Sequence, residues 1–412
     1  MINTTLIRLT QQIPTLLVKI LNWIRRSFSI TKRSHLSFLE NIDHFAADMP
    51  KTRHALITLS PDAWLTAVRQ YPNIRLFNYY GLTYEMVRAL NENGYMVDIA
   101  DLLSEHTPTR HYDLFVGHGG KCRTILDSLP VGTPVLQYVS GVHWKTFQEE
   151  SAERYQSFAS RRNAPLVQHF RRSFDNLCEG VDYLAARTDA FFTIHCPRMI
   201  ASYGKQVGRF VFTGLGSYPD TKLIPVGGHD FNAGKNNFIY VGGSGGNIQK
   251  GLDVLISAFA RHPDLHLYIY CIVEPELLRY AALDLNLPNI HYIYHWRFPG
   301  YHKRLERMLG KINFTVHAPC NFGMGTAFMG SLGVGLIPVG YVDYAGPEDS
   351  VVLADSWHVD ALAKCIREAS EKSGEWCETA AGKALEFYLE HCTAEGFHKR
   401  FSELVHDYSR VS

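Results

Sequence analysis

The sequence has almost no charge excess: 41 lysines and arginines against 40 acids leave a formal +1 over 412 residues. Without a global basic field, nothing argues for a nucleic-acid partner. Low charge together with 12% aromatics excludes a chain that stays disordered. The eight cysteines include no C-x-x-C pair, so neither a zinc ribbon nor a disulfide framework is signalled. Cysteines scattered in this way fit a reducing compartment, and a cytoplasmic α/β enzyme is the expectation. Folding of a chain this long buries about three quarters of its unfolded surface, and the length suggests two or three domains.

What charge there is sits unevenly. Residues 1–39 carry Arg8, Lys19, Arg25, Arg26, Lys32 and Arg33 and no acid, whereas the remainder sums to −5. Ile13, Leu16, Leu17, Ile20, Leu21, Ile24 and Phe28 recur at helical spacing in the same stretch, with Trp23 beside the arginine pair. Lys19 and the arginines interrupt any run approaching the roughly 20 apolar residues of a spanning helix, and no small-residue cleavage site follows. Alternatives stand. The segment is an interfacial helix making peripheral contact with the inner face of a membrane, or it is a helix docked on the protein or a frayed terminus.

From about residue 50 strands and helices alternate twice over. In the first half, 55–59, 95–99, 112–116, 134–139, 190–194 and 210–212 read as strands. A helix pattern over 83–93 is stopped by Gly94, and 148–187 reads as helical. Polar, glycine-bearing loops at 117–120 and 140–143 place His118 and His143 just after strands. The stretch 225–237, rich in glycine and asparagine, reads as a linker. In the second half, strands are expected at 238–241, 267–271, 291–294, 313–317 and 336–339, with helices at 252–260, from 325, and over 358–408. The expected domains are a basic segment 1–39, a Rossmann-like domain 40–224, a linker 225–237, a second Rossmann-like domain 238–375 and C-terminal helices 376–412. Ligands of such sheets bind outside the strands' carboxyl ends.

The clearest chemistry lies in Gly242-Gly-Ser-Gly-Gly-Asn-Ile-Gln-Lys-Gly251, between a strand and a helix. Glycines there leave backbone N–H groups open at a helix N-terminus, where the dipole favours anions, and Lys250 adds a full positive charge. The spacing is neither that of a P-loop nor that of G-x-G-x-x-G with its acid, since position 271 is cysteine. By itself this is equally a tight turn with no ligand. The second loop, Pro319-Cys-Asn-Phe-Gly-Met-Gly-Thr326, tips the balance. Two glycine loops at neighbouring strand ends would cradle a diphosphate, and Gly330 and Gly333 would let the following helix pack closely on the sheet.

The runs Phe238-Ile-Tyr-Val-Gly-Gly-Ser-Gly-Gly-Asn-Ile-Gln-Lys-Gly-Leu-Asp-Val-Leu-Ile-Ser-Ala-Phe259 and Asn321-Phe-Gly-Met-Gly-Thr-Ala-Phe-Met-Gly-Ser-Leu-Gly-Val-Gly-Leu-Ile-Pro-Val339 resemble the donor-site segments of GT-B glycosyltransferases of the retaining group 1 kind. Asn78-Tyr-Tyr-Gly-Leu-Thr-Tyr-Glu-Met-Val-Arg-Ala-Leu-Asn-Glu-Asn-Gly94 and Ser140-Gly-Val-His-Trp144 match more loosely. The resemblance implies an α/β fold of two Rossmann-like domains with parallel sheets facing a central cleft and a helical C-terminal tail. It implies transfer of a sugar from a nucleotide-sugar donor to a glycan or lipid-linked acceptor, with retention, in glycan biosynthesis. The donor-binding residues would be Gly243, Ser244, Gly245, Gly246, Lys250, Arg297, Asn321, Phe322, Gly323, Met324, Gly325 and Thr326. A solvated surface residue is the alternative for Arg297. Lys250 would stabilise the leaving diphosphate, His118 resembles the family's loop histidine that faces the donor sugar, and His143 is an acceptor-side candidate.

The family usually carries two glutamates eight positions apart. Aligned without gaps on Gly335-Leu-Ile-Pro-Val339, this chain has Phe322 and Gly330 there. A degenerate GT-B scaffold therefore stays open, as does a sugar-nucleotide epimerase. The chain contains no D-x-D, the signature of the metal-chelating GT-A alternative. Neither a metal nor a cofactor is expected.

Overall fold

The computed structural model describes residues 36–70, 79–166, 175–193, 196–204, 209–213, 228–242, 246–294, 308–320 and 325–409. The basic segment lies outside the described residues as far as residue 35. Phe38–Ser412 forms one compact unit, and among the described residues no helix is long and apolar enough to cross a membrane.

Two sheets organise this unit. The first contains β1 (Phe38–Ile42), β2 (Arg53–Leu59), β3 (Tyr95–Asp101), β4 (Leu114–Gly117), β5 (Val135–Tyr138), β6 (Ala190–Thr193) and β7 (Phe210–Phe212), in the order β1-β3-β2-β4-β5-β6-β7. All its pairings are parallel except that of β1 with β3. The second contains β8 (Asn237–Val241), β9 (His266–Cys271), β10 (Ile290–Tyr294), β11 (Phe314–His317), β12 (Ile337–Gly340) and β13 (Val352–Leu353). Its order is β10-β9-β8-β11-β12-β13, parallel throughout. Central strands are covered on both faces: β4, β5, β6, β11 and β12 are buried at every position.

The crossovers of the first half are α1 (Pro61–Gln70), α2 (Tyr79–Glu92), α3 (Arg123–Ser128), α4 (Trp144–Arg162), α5 (Asp175–Ala185) and α6 (Pro197–Ser202). Those of the second are α7 (Leu252–Phe259), α8 (Pro275–Tyr280), α9 (Ala282–Leu285) and α10 (Thr326–Leu332). They are followed by α11 (Val359–Ser370), α12 (Gly374–His391) and α13 (Ala394–Ser409). Gly94, at φ +81°, follows the end of α2 as its sequence suggests.

Four elements depart from the sequence reading. β1 takes Phe38 and Leu39 into the first sheet, although the charge pattern groups them with the basic segment. Of the helical stretch expected over 148–187, the described residues form α4 and α5, and Asn163 closes α4 by adopting the left-handed conformation (φ 48°, ψ 42°). Gly330 is exposed with open space around its Cα, while a side chain at Gly333 would meet Tyr388 of α12 at 2.7 Å. Gly333 thus admits a close approach of α10 to α12, and Gly330 is not a packing position. Last, α13 returns to the first half, where Phe397, Phe401, Leu404 and Val405 join the core built by β2, β3, β4 and α2. Helix α4 crosses the other way and lodges Tyr155 and Phe158 in the core of the second half.

Candidate active site

Each sheet has one topological switch point, where the chain leaves a strand in opposite directions. In the second sheet it lies between β8 and β11, the position at which open α/β sheets hold their ligands. Both glycine loops spring from it. They touch: the Cys320 amide donates to the Gln249 carbonyl at 2.8 Å. A Cβ at Gly251 (φ +80°) would lie 2.2 Å from the Ala318 carbonyl oxygen, so only glycine fits there.

Lys250 ends the first loop. Its amide donates to the Gly246 carbonyl at 2.8 Å, and its half-buried side chain folds back so that Cε lies 3.8 Å from where a Gly246 Cβ would be. Burial pushes the Cys271 thiol at the end of β9 up to about 12, and the Lys250 charge works against that rise. The side chain of Lys250 thus lies over the turn that follows β8.

One feature of the turn was not legible in the sequence. The Glu274 carboxylate accepts hydrogen bonds from the Gly246 amide and, at 3.0 Å, from the Asn247 amide. The fully buried Asn247 returns the contact, its Oδ1 accepting from the Glu274 amide at 2.7 Å. Two of the amides expected to face a ligand are thus clamped from inside. The signal was a Glu-Pro pair just beyond β9, opening α8.

Two arginines from the first half hold the segment leading into the second loop. Arg154 of α4 is fully buried; its Nη2 donates to the Ala318 carbonyl at 2.9 Å and its guanidinium lies 4.2 Å over Trp357. Burial lowers its pKa, and the nearby Asp253 opposes that shift. Arg198 donates to the Cys320 carbonyl at 3.3 Å and pairs with Glu150. Neither residue belongs to a recognisable motif. An arginine beside Tyr155 on the buried face of α4 was the available clue.

The first sheet switches direction between β2 and β4, and His118 stands at that point. Its amide donates to Thr58 Oγ1 of β2 at 3.3 Å, and its Nδ1 lies 3.1 Å from the Tyr138 carbonyl. A carbonyl only accepts, so Nδ1 carries the proton and Nε2 is the basic nitrogen of the neutral ring. Burial lowers the His118 pKa, against the Tyr138 carbonyl, which raises it. The neighbouring Gly120 (φ +78°) is obligatory, because a Cβ would lie 2.0 Å from the Leu102 carbonyl oxygen.

His143 is built into α4 as its N-cap. Nδ1 accepts from the Lys145 amide at 3.4 Å, and Nε2 lies 2.6 Å from Asp182, which also accepts from Trp144 Nε1 at 3.1 Å. These contacts make His143 the cap of α4 and pair it with Asp182. Gly325, exposed, is the N-cap of α10. Gly243, Ser244, Gly245, Arg297, Asn321, Phe322, Gly323 and Met324 lie outside the described residues, as does the side chain of Thr326. Among the described residues no group of three or more His, Cys, Asp or Glu side chains could hold a metal ion.

No family model and no curated protein matches the chain. Solved structures do. Sucrose-phosphate synthase from Thermosynechococcus elongatus is 12% identical over 87% of this chain and 100% of that one, with a TM-score of 0.61. An alpha,alpha-trehalose-phosphate synthase (UDP-forming) from Burkholderia vietnamiensis is also 12% identical, over 86% of this chain and 84% of that one, at 0.47. At such identities the likeness speaks for architecture alone, and that architecture is the GT-B glycosyltransferase fold, two parallel-sheet α/β domains.

Proposed function

We propose that the chain is a glycosyltransferase that takes a sugar from a nucleotide-sugar donor and passes it, with retention, to a glycan or lipid-linked acceptor. The observation that carries this reading is the convergence at the β8/β11 switch point. There a glycine turn ending in Lys250 meets the Ala318–Cys320 segment, held from behind by Arg154 and Arg198. A cation held at one fixed point is what a leaving diphosphate needs, because its charge develops in the transition state. Glu274 fits as a clamp that fixes the turn, leaving Lys250 as the cation beside it. His118, neutral and basic at Nε2, is the group proposed to face the donor sugar. The reaction so framed requires no metal.

Titration of the full chain with UDP-, GDP- and ADP-sugars tests the reading. Saturable binding and release of nucleotide in the presence of an acceptor are expected. Absence of binding to all three would overturn it, while binding without any transfer or hydrolysis would leave the scaffold. The basic segment is proposed to hold the enzyme at a membrane face displaying the acceptor. Its six bases would each contribute about 1 kcal/mol near an anionic surface. Full-length protein should co-sediment with anionic vesicles, less so in high salt, and protein lacking residues 1–35 should not.

A further inference from the structure

We propose that a cavity between α4, α7 and α11, away from the glycine loops, is a binding site for a phosphate-monoester dianion. The cavity measures about 470 Å³, within the range of small-ligand sites. Its walls present Arg161, Arg162, Ser257, Arg261, Trp357 and His358.

The arginines are arranged unusually for like charges. Arg161 Nη1 and Arg162 Nη2 both donate to one neutral oxygen, Ser257 Oγ, at 3.2 and 2.7 Å. That hydroxyl in turn donates to the Asp253 carbonyl at 3.1 Å, which fixes its direction. Two guanidinium groups are thereby brought together at the cavity wall around a hydroxyl and not around a carboxylate. Arg162 Nε is buried with no partner among the described residues.

The carboxylates that offset this pair stand behind it. Arg161 also contacts Asp253, whose side chain is fully buried, and Arg162 contacts Asp284 at 2.6 Å; neither acid lines the cavity. The acid that does line it is Asp360, paired with Arg261. That pair is 51% and 86% exposed, the kind of surface contact that contributes little and is easily exchanged for another anion. Three arginines therefore face one replaceable carboxylate. Helix α11 also begins here, and no side chain caps its first amides. Guanidinium forks and open amides together match phosphate oxygens, since arginine binds them bidentately. The volume exceeds what a bare phosphate fills, and Trp357 offers an apolar wall to the group that the phosphate carries.

Calorimetric titration of the full chain with inorganic phosphate and with glycerol 3-phosphate tests the proposal. One saturable site is expected, undisturbed by Lys250→Ala and weakened about tenfold or more by Arg162→Gln or Arg261→Gln. Arg261 is exposed, so its variant reads the site even where Arg162→Gln fails to fold. Tighter binding of the ester would assign an esterified ligand, and equal binding would assign free phosphate. No binding by either probe, binding unchanged in both arginine variants, or binding abolished by Lys250→Ala would overturn the site.

Discussion

The two switch points occupy equivalent places in equivalent sheets and do opposite things. At β8/β11 the backbone is brought close by glycine, a lysine supplies charge, and an internal carboxylate fixes the turn. At β2/β4 a single histidine is held by a backbone carbonyl and kept neutral by burial. The first arrangement suits binding of a diphosphate, and the second suits contact with an uncharged group. Neither half closes its core alone: the second takes Tyr155 and Phe158 from α4 of the first, and the first takes α13 from the far end of the chain.

The largest effect expected is at Gly251. Gly251→Ala places a methyl group against the Ala318 carbonyl in a left-handed conformation, and should cost about 3 kcal/mol, the upper end of ordinary single substitutions. Chemical denaturation would show it, and donor binding should vanish with the loop contact. A variant as stable as wild type would mean that the two loops do not meet as described.

Next comes Lys250. Lys250→Ala removes a charge-assisted contact worth about 1.5–3 kcal/mol and should weaken nucleotide-sugar affinity correspondingly, with the melting temperature unchanged. His118→Ala should do the reverse. Transfer should fall by about tenfold, or 1.4 kcal/mol in the barrier, with nucleotide affinity near wild type. If both variants changed affinity and turnover alike, the division of labour between the two switch points would be lost.

The fold was legible because its signals are local. Apolar runs such as Phe238–Val241 followed by glycine, and a helix stopped at Gly94, identify parallel strands and crossovers before any contact is known. Lys250 was legible for the same reason, standing within ten residues of the turn it serves. Partners far apart in the chain were not. Glu274 reaches back 28 residues to Gly246, Arg154 reaches Ala318 across 164, and α13 docks on α2 some 300 residues earlier. Nothing in a one-dimensional pattern marks such pairs. His143 is a second such case: a histidine after a strand beside glycine signals a site or a helix cap alike, and its contacts with the Lys145 amide and with Asp182, 39 residues on, are not marked in the pattern.

The smallest effect concerns how the first half keeps its borrowed helix. His398 of α13 lies between two carboxylates of α2, with Nε2 2.9 Å from Glu92 and Nδ1 3.2 Å from Glu85. Arg88 contacts both acids from α2 and also Glu395 of α13. Burial lowers the His398 pKa, but Glu85 and Glu92 outweigh burial and Arg88, and the net shift is upward from 6.5. A histidine whose folded pKa is raised contributes its full stabilisation below the unfolded value and loses it as pH climbs through the folded one. The docking of α13 should therefore weaken above about pH 6.5. Half-buried His118 and buried His229 and His317 carry lowered pKa values and act in the opposite sense. The readout is accordingly the difference in unfolding free energy between wild type and His398→Gln, taken at about pH 6 and about pH 8. That difference should shrink toward the higher pH. A difference that stays constant would show that His398 titrates alike in the folded and unfolded chains, and that apolar contacts from Phe397, Phe401 and Leu404 dock the helix unaided.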